Sequence, residues 1–352
     1  MIKSSSVIGI MSGTSLDGLD LACVRFEESN HKWYFELEAV EHVAYSKTWK
    51  RKLANAYYAD DLKLNLLSKE FGLYTAKKTL QFIRKNKLNP QLIASHGHTI
   101  HHCPAEGITL QIGDGKTIAQ ATAIETINDF RSEDVRKGGQ GAPLVPVGDK
   151  LLFADCPICL NIGGIANVSF DLDGKRIAFD ICIANQALNY LAQSVGYDFD
   201  ENGDLASFGV VSDDLLKQLQ HPYYELKYPK SLGREFFETV QRPVFEAMEL
   251  AAEDALATYV ELIAQQIALA TNKLPPSEML VTGGGAFNTF LISRIQALSK
   301  HKVVIPKAAI VSYKEAIVFA FLGLLRKQNK INVLSSVTGA SSDSSSGTVY
   351  FL

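Results

Sequence analysis

An apolar run from Val7 to Met11 stops at Ser12-Gly13-Thr14-Ser15, and a second run then alternates apolar and polar positions through Leu21-Ala-Cys-Val-Arg-Phe26. A strand, a glycine turn and a returning strand satisfy that pattern. About 150 residues later the theme recurs in Ile158-Cys-Leu-Asn-Ile-Gly-Gly-Ile-Ala-Asn-Val-Ser-Phe170, which implies an internal duplication with one hairpin per lobe. A third glycine cluster is different. Glu278–Thr282 reads as a strand, Gly283-Gly-Gly285 as its turn, and Ala286–Leu298 carries helical spacing at Phe290, Leu291, Ile295 and Leu298. Such a turn lets main chain lie flat against a planar base or an α-phosphate at a helix N-terminus.

The loop Ser12–Gly18 offers glycine-freed amides, the hydroxyls of Ser12, Thr14 and Ser15, and the carboxylate of Asp17. Amides and hydroxyls of this kind cradle phosphate, and the carboxylate can hold a hydrated Mg²⁺. The same residues also suit a tight hairpin whose Ser and Asp side chains bond their own backbone, and the stretch alone leaves both readings open. Three rival motifs fail. A P-loop needs a lysine that this loop lacks, a dinucleotide fold needs a helix where a strand follows, and a nucleophile elbow needs glycine where Asp17 stands.

At 352 residues and 47% hydrophobic content the chain can build two full cores. A net charge of −3 offers no basic stripe and speaks against a nucleic-acid binder. There is no secretory leader pattern and no run of about 20 uninterrupted apolar residues, so neither export nor a membrane span is expected. Five cysteines, an odd number, fit reduced thiols of a cytoplasmic protein, and the pair Cys156 and Cys159 reads as core thiols.

Trp33–Tyr45 reads as a third antiparallel strand. Ser46–Asn86 reads as helical, with Leu62, Leu66, Leu67, Phe71 and Tyr74 on one face. Leu92–Ser95 is a short buried strand that ends at His96, His98, His101 and His102. These histidines invite a metal, but their spacing does not converge, and His96 suits the wall of a ligand site better. A helix over Asp114–Thr122 and a strand over Ala123–Asn128 precede Asp129 and Arg131. The glycine- and proline-rich Lys137–Pro146 then puts the lobe boundary between 1–140 and 141–352. Arg176–Phe179 is a strand ending at Asp180, followed by helices over Asn185–Val195 and about Ala247–Asn272. Lys314–Leu325 is a buried apolar helix opened by Glu315, which reads as a partner of the helix dipole. The Ser- and Gly-rich tail Ser335–Thr348 reads as partly mobile.

Seven motifs now stand together: Gly-Thr-Ser-Leu-Asp-Gly-Leu-Asp (13–20), Ser-His-Gly (95–97), Asp-Phe-Arg (129–131), Gly-Gly-Gln-Gly-Ala-Pro-Leu-Val-Pro (138–146), Asn-Ile-Gly-Gly-Ile-Ala-Asn (161–167), Gly-Arg-Glu (233–235) and Gly-Gly-Gly-Ala-Phe-Asn (283–288). In this order the chain resembles the anhydro-N-acetylmuramic acid kinase family of the acetate and sugar kinase, Hsp70 and actin superfamily. The resemblance implies a two-lobed actin-like ATPase (ribonuclease H-like) α/β fold, each lobe a mixed sheet flanked by helices with a cleft between the lobes. It also implies a cytoplasmic homodimer of peptidoglycan recycling. With ATP and Mg²⁺, such enzymes convert 1,6-anhydro-N-acetylmuramic acid and water to N-acetylmuramic acid 6-phosphate and ADP.

By the same resemblance ATP would meet Gly13, Thr14, Ser15, Leu16, Asp17, Gly18, Leu19 and Asp20, then Asn161, Gly163 and Gly164, and finally Gly283, Gly284, Gly285 and Asn288. Mg²⁺ would be held through water by Asp17. Asp180 is implied as the catalytic base; from sequence alone it serves equally as an acid complementing the next helix's dipole. Arg131 suits the substrate's lactyl carboxylate, because a guanidinium fork grips carboxylate, or else it pairs with Asp129 or Glu133. His96, Asp129 and Asn185 complete the sugar contacts. The chain departs from the family in two places. Asp180-Ile-Cys-Ile-Ala-Asn185 replaces the usual Asp-Thr-Gly-Pro-Gly/Ala-Asn, and His98 stands where Gln is common. The first departure keeps open a same-fold kinase for another amino sugar or anhydrosugar. A nucleotide-binding ATPase module that transfers no phosphate is the reading from a different class, which the lack of a peptide-binding domain weighs against.

Overall fold

Ser5–Ser12 (β1), Gly18–Ser29 (β2) and Lys32–Ala44 (β3) form an antiparallel meander, and β1 also pairs in parallel with Leu92–Cys103 (β4). Ile108–Ile112 (β5) folds back on the far half of β4, and Thr126–Asn128 (β6) joins the near half in parallel. Ile158–Ile162 (β7), Ile165–Leu172 (β8) and Lys175–Ile183 (β9) repeat the meander. Glu278–Thr282 (β10) lies parallel to β7, and Lys302–Val304 (β11) parallel to β10. The run β3-β2-β1-β4-β6 therefore has the same directions as β9-β8-β7-β10-β11. The duplication expected from two glycine turns extends to whole sheets.

The computed structural model describes residues 4–13 and 15–351, and the expected Thr14 contact lies outside them. The chain divides into two compact units. One holds the chain up to Leu152 together with Tyr313 onward, and the other holds Phe153–Ser312. This differs at both edges from a division into 1–140 and 141–352. The helix Pro146–Leu152 still belongs to the first unit, and the chain re-enters that unit within the helix Ala308–Lys327. Thr348–Tyr350 (β12) then pairs antiparallel with β6 and closes the seven-stranded sheet.

Ala308–Lys327 has the length and hydropathy of a membrane span, but Ala316–Phe321 packs inside the first unit. A Cβ on Gly9 of β1 would stand 1.8 Å from the carbonyl oxygen of Ala316, so only glycine admits the helix this close. Phe319, Phe321 and Leu322 are fully buried there, each stabilising by roughly 1.5–3 kcal/mol. The Ser-rich tail is likewise tied in, with Asn332 Nδ2 donating to Leu322 O and Ser346 O, and Ser346 Oγ to Phe130 O. On the helix Asp61–Asn86 the buried face is Leu64, Phe71, Thr75, Thr79 and Phe82, while Leu62 and Leu66 are exposed. The sequence placed the stripe wrongly at its first turns, because there leucines occupy several faces of the helix.

Candidate active site

The first turn is anchored at its base. Ser12 Oγ, buried at the end of β1, hydrogen-bonds Tyr45 Oη (2.6 Å) and His98 Nδ1 (2.8 Å). Burial pulls the His98 pKa down to about 4, so the ring is neutral. Leu19 faces Ser12 across the hairpin with its side chain in the core, and Asp20 bonds His42. Leu16 adopts φ +58°, and Asp17 is exposed with Oδ1 accepting from its neighbour Gly18 N (2.8 Å). The loop thus keeps the backbone-satisfying bond of a plain hairpin and still presents a carboxylate.

His96 and Arg131 meet in the same unit. Strand β4 runs on through the histidines instead of stopping at Ser95, because Gly97, at φ +76°, lets it bend past β5. His96 is buried edge-on to Phe319. Its Nδ1 donates to Gly97 O (2.9 Å), so Nε2 accepts from Arg131 Nε (3.0 Å) and Nη2 (2.8 Å). Burial, seconded by the Arg131 charge, drives the His96 pKa down to about 3. Arg131 Nη1 donates to Gly141 O (2.6 Å). The expected ion pair with Asp129 or Glu133 does not form: Asp129, at φ +56°, accepts from Ser132, and Glu133 pairs with Arg136. Desolvation lowers the Arg131 pKa to about 10, still charged at neutral pH, against the pull of Glu315. Glu315 lies two turns inside its helix, beyond the reach of the dipole. Desolvation raises its pKa and the Arg131 charge opposes that rise.

In the second unit, two of the three expected turns come together. Gly283 has φ +82°, and a Cβ there would lie 2.7 Å from Ile162 O; one on Gly285 would lie 2.3 Å from Ile162 Cγ2. Asn185 N donates to Gly163 O (3.1 Å), its Nδ2 to Ile162 O (3.1 Å), and Ala184 N to Gly164 O (2.8 Å). Asn185, expected at the sugar, thus braces the glycine turn beside Gly284. Asn288 caps the helix Thr289–Leu298 through Oδ1 to Leu291 N (2.9 Å) and is buried, so its side-chain oxygen is already engaged.

Asp180 lies within β9 and not at its end. The strand continues because Ile181, Cys182, Ile183 and Ala184 are all core residues, between 0% and 2% exposed. The departure from the family motif therefore lies in the core, where it bears on a ligand only through the packing behind Asp180. The pairing with β8 slips here: Ala166 faces Cys182 and Asn167 faces Asp180, so Ile181, next to Asp180, is the extra residue of a bulge in β9. Leu232 N donates to Asp180 Oδ2 (2.9 Å), and among the described residues Oδ1 has no protein partner. Desolvation raises the Asp180 pKa and the Leu232 bond partly offsets it. Leu232 also lines a concavity of about 410 Å³ with His221, Tyr223, Phe236 and Thr239. The sequence carried no local signal for Leu232 or Tyr223, whose roles come from backbone and hydroxyl contacts across the fold.

The residues present fit a phosphate ligand. A Cβ on Gly13, Gly163 or Gly164 would meet nothing closer than 3.4, 3.6 and 3.9 Å, and none of the three has positive φ. Packing does not demand glycine there, and although Gly163 N already donates to Ile165 O (3.3 Å), the bare main chain lets an anion come close to both turns. Asp17 supplies the hard oxygen that a hydrated Mg²⁺ takes. Among the described residues there is no cluster of three or more metal-ligating side chains, and no cysteine is in a disulfide.

A relative in Shewanella denitrificans named anhydro-N-acetylmuramic acid kinase is 37% identical over 99% of both chains, and one of that name in Pasteurella multocida is 35% identical over 97% of this chain and 96% of its own. Among solved structures, component A of the Acidaminococcus fermentans (R)-2-hydroxyglutaryl-CoA dehydratase superposes at TM-score 0.46 with 12% identity, over 91% of this chain and 97% of that one. The family model for anhydro-N-acetylmuramic acid kinase matches residues 5–352, and with two α/β units of the same strand order behind it, the chain belongs to the anhydro-N-acetylmuramic acid kinase family.

Proposed function

We propose that this protein is an ATP-dependent kinase that converts 1,6-anhydro-N-acetylmuramic acid and water to N-acetylmuramic acid 6-phosphate and ADP. Asp180 is the base. Its carboxylate is anchored at Oδ2 and, among the described residues, has no partner at Oδ1, and that single observation carries the mechanism. Oδ1 takes a proton from the water that bonds to C1; the C1–O6 bond breaks, and O6 forms its bond to the γ-phosphorus as the β,γ-bridging bond breaks. Desolvation makes Asp180 a stronger base than a free aspartate, which favours the transfer. Arg131, held flat by His96 and Gly141, takes the lactyl carboxylate, with Asp129 and Asn185 supporting the sugar contacts. Amides and hydroxyls of 13–20, 161–164 and 283–285 take ATP. Mg²⁺, when bound through water on Asp17, neutralises charge on the triphosphate. Cysteines that form no disulfide among the described residues support a cytoplasmic setting, and exposed Phe208 and Val210 support a homodimer.

The test offers the purified protein ATP with anhydro-N-acetylmuramic acid, N-acetylmuramic acid or N-acetylglucosamine and follows ADP. Release with the anhydrosugar alone is expected. Absence of release with it, or ATP turnover without any sugar, overturns the reading.

A further inference from the structure

Tyr223–Leu232 crosses β9 at Asp180 and holds it at three points. Tyr223 Oη donates to Asp180 O (2.7 Å), Asp180 N donates to Lys230 O (3.3 Å), and Leu232 N donates to Asp180 Oδ2 (2.9 Å). What holds this strap is a lysine that turns inward. Lys230 is half-buried in an otherwise exposed stretch and makes no ion pair among the described residues. Its ammonium donates to Tyr223 O (3.1 Å) and Tyr224 O (3.4 Å), and it lies 4.5 Å from the Tyr223 ring centroid and 5.7 Å from that of Phe179. A lysine that gives up hydration for two carbonyls and two ring faces is fixed in place by them. Phe179 precedes Asp180 in β9, so the ammonium ties the start of the strap, its end and the strand next to the carboxylate into one unit.

We propose that Lys230 is a positioning residue for the Asp180 carboxylate, acting by closing the Tyr223–Leu232 strap so that Leu232 N–H and Tyr223 Oη stay on Asp180. The proposal rests on Asp180 being the base. Without the ammonium the strap opens, the Leu232 bond weakens, and Asp180 both loses its aim and becomes harder to ionise. A base acts deprotonated, so the acid limb of the kcat profile moves to higher pH.

The experiment compares Lys230→Met, Lys230→Arg, Tyr223→Phe and Asp180→Asn with the unaltered enzyme, measuring kcat and KM for each substrate across pH. Lys230→Met is expected to lower kcat ten- to hundredfold with KM for ATP within twofold and the acid limb shifted upward. Lys230→Arg, which can still donate to both carbonyls, recovers most of the loss, and Tyr223→Phe gives a smaller shift of the same sign. Unchanged kcat and acid limb in Lys230→Met, with Asp180→Asn inactive, overturn the proposal alone. A raised KM at unchanged kcat puts the ammonium on a ligand and overturns it too. Near-normal turnover in Asp180→Asn overturns the base and with it the strap's role. Should Lys230→Met fail to fold, Lys230→Arg and Tyr223→Phe decide, since both keep the packing: an unmoved acid limb in Tyr223→Phe counts against the proposal.

Discussion

Between β1 and β2 the turn is long and carries its own polar groups, fastened below by Ser12, Tyr45 and His98; between β7 and β8 it is only Gly163 and Gly164, fastened from outside. Asn185 and Ala184 donate to the two glycine carbonyls, and Gly283 and Gly285 press against Ile162. The strand order around the two turns is the same. A duplicated sheet can therefore hold two loops still by opposite means, side chains at the base of one and neighbouring backbone around the other. Each keeps glycine where no packing requires it.

If the second turn depends on its neighbours, crowding them breaks it first. Gly285→Ala would set a Cβ against fully buried Ile162 and should cost on the order of 3 kcal/mol. Both tryptophans, Trp33 and Trp49, lie in the first unit, so the loss should appear in far-UV circular dichroism before tryptophan fluorescence responds. Coincident transitions at the original midpoint would mean the second turn is not braced this way. The first unit's counterpart is Arg131→Ala. It strips the donors from His96 Nε2 and Gly141 O, costing about 1–3 kcal/mol, and it should raise KM for the anhydrosugar far more than KM for ATP. Equal changes in the two KM values would remove Arg131 from the sugar.

The open glycines sharpen the contrast. Gly13→Ala, Gly163→Ala and Gly164→Ala should leave thermal midpoints within about 2 °C, since a methyl group fits at each and Ala there, if anything, restricts the unfolded chain. Each should raise KM for ATP about tenfold, measured with sugar saturating, because the methyl stands where phosphate must approach the amides. A drop in stability without a change in KM would return these turns to the status of plain hairpins.

The hairpins, the duplication and the order of the seven motifs were legible in the sequence because glycine turns between apolar runs are local. Strand β9 was misread at Asp180. Its continuation through Ile181–Ile183 carries a bulge at Ile181 that shows only in the pairing with β8, which no apolar pattern within β9 records. The tail was misread for a related reason, since Ser346 and Asn332 are buried by partners far away in the chain. Asp180, Arg131 and His96 could be nominated from sequence. Glu315 and Lys230 could not be weighed correctly, because a helix interior and a backbone strap become visible only in three dimensions.

The last contrast is one of pH. His96 and His98 have pKa values pulled down to about 3 and about 4, below the ~6.5 of an unfolded chain. The unfolded chain then binds protons first, so the first unit loses stability as pH falls from about 6.5 toward those values. Asp180 has the opposite sign: its raised pKa means the folded second unit binds the proton more tightly, and it gains stability as pH falls toward that value. His98→Gln separates the two. Glutamine can keep a hydrogen bond to Ser12 and does not titrate, so at pH 7.5 urea unfolding followed by tryptophan fluorescence should change by less than about 0.5 kcal/mol. Between pH 7 and pH 5 the variant should lose about 1–2 kcal/mol less than the parent, and Asp180→Asn should not share that gain. If the two proteins lost stability in parallel, His98 would not be the neutral buried partner that fastens Ser12, and the first turn would have to be held by Tyr45 alone.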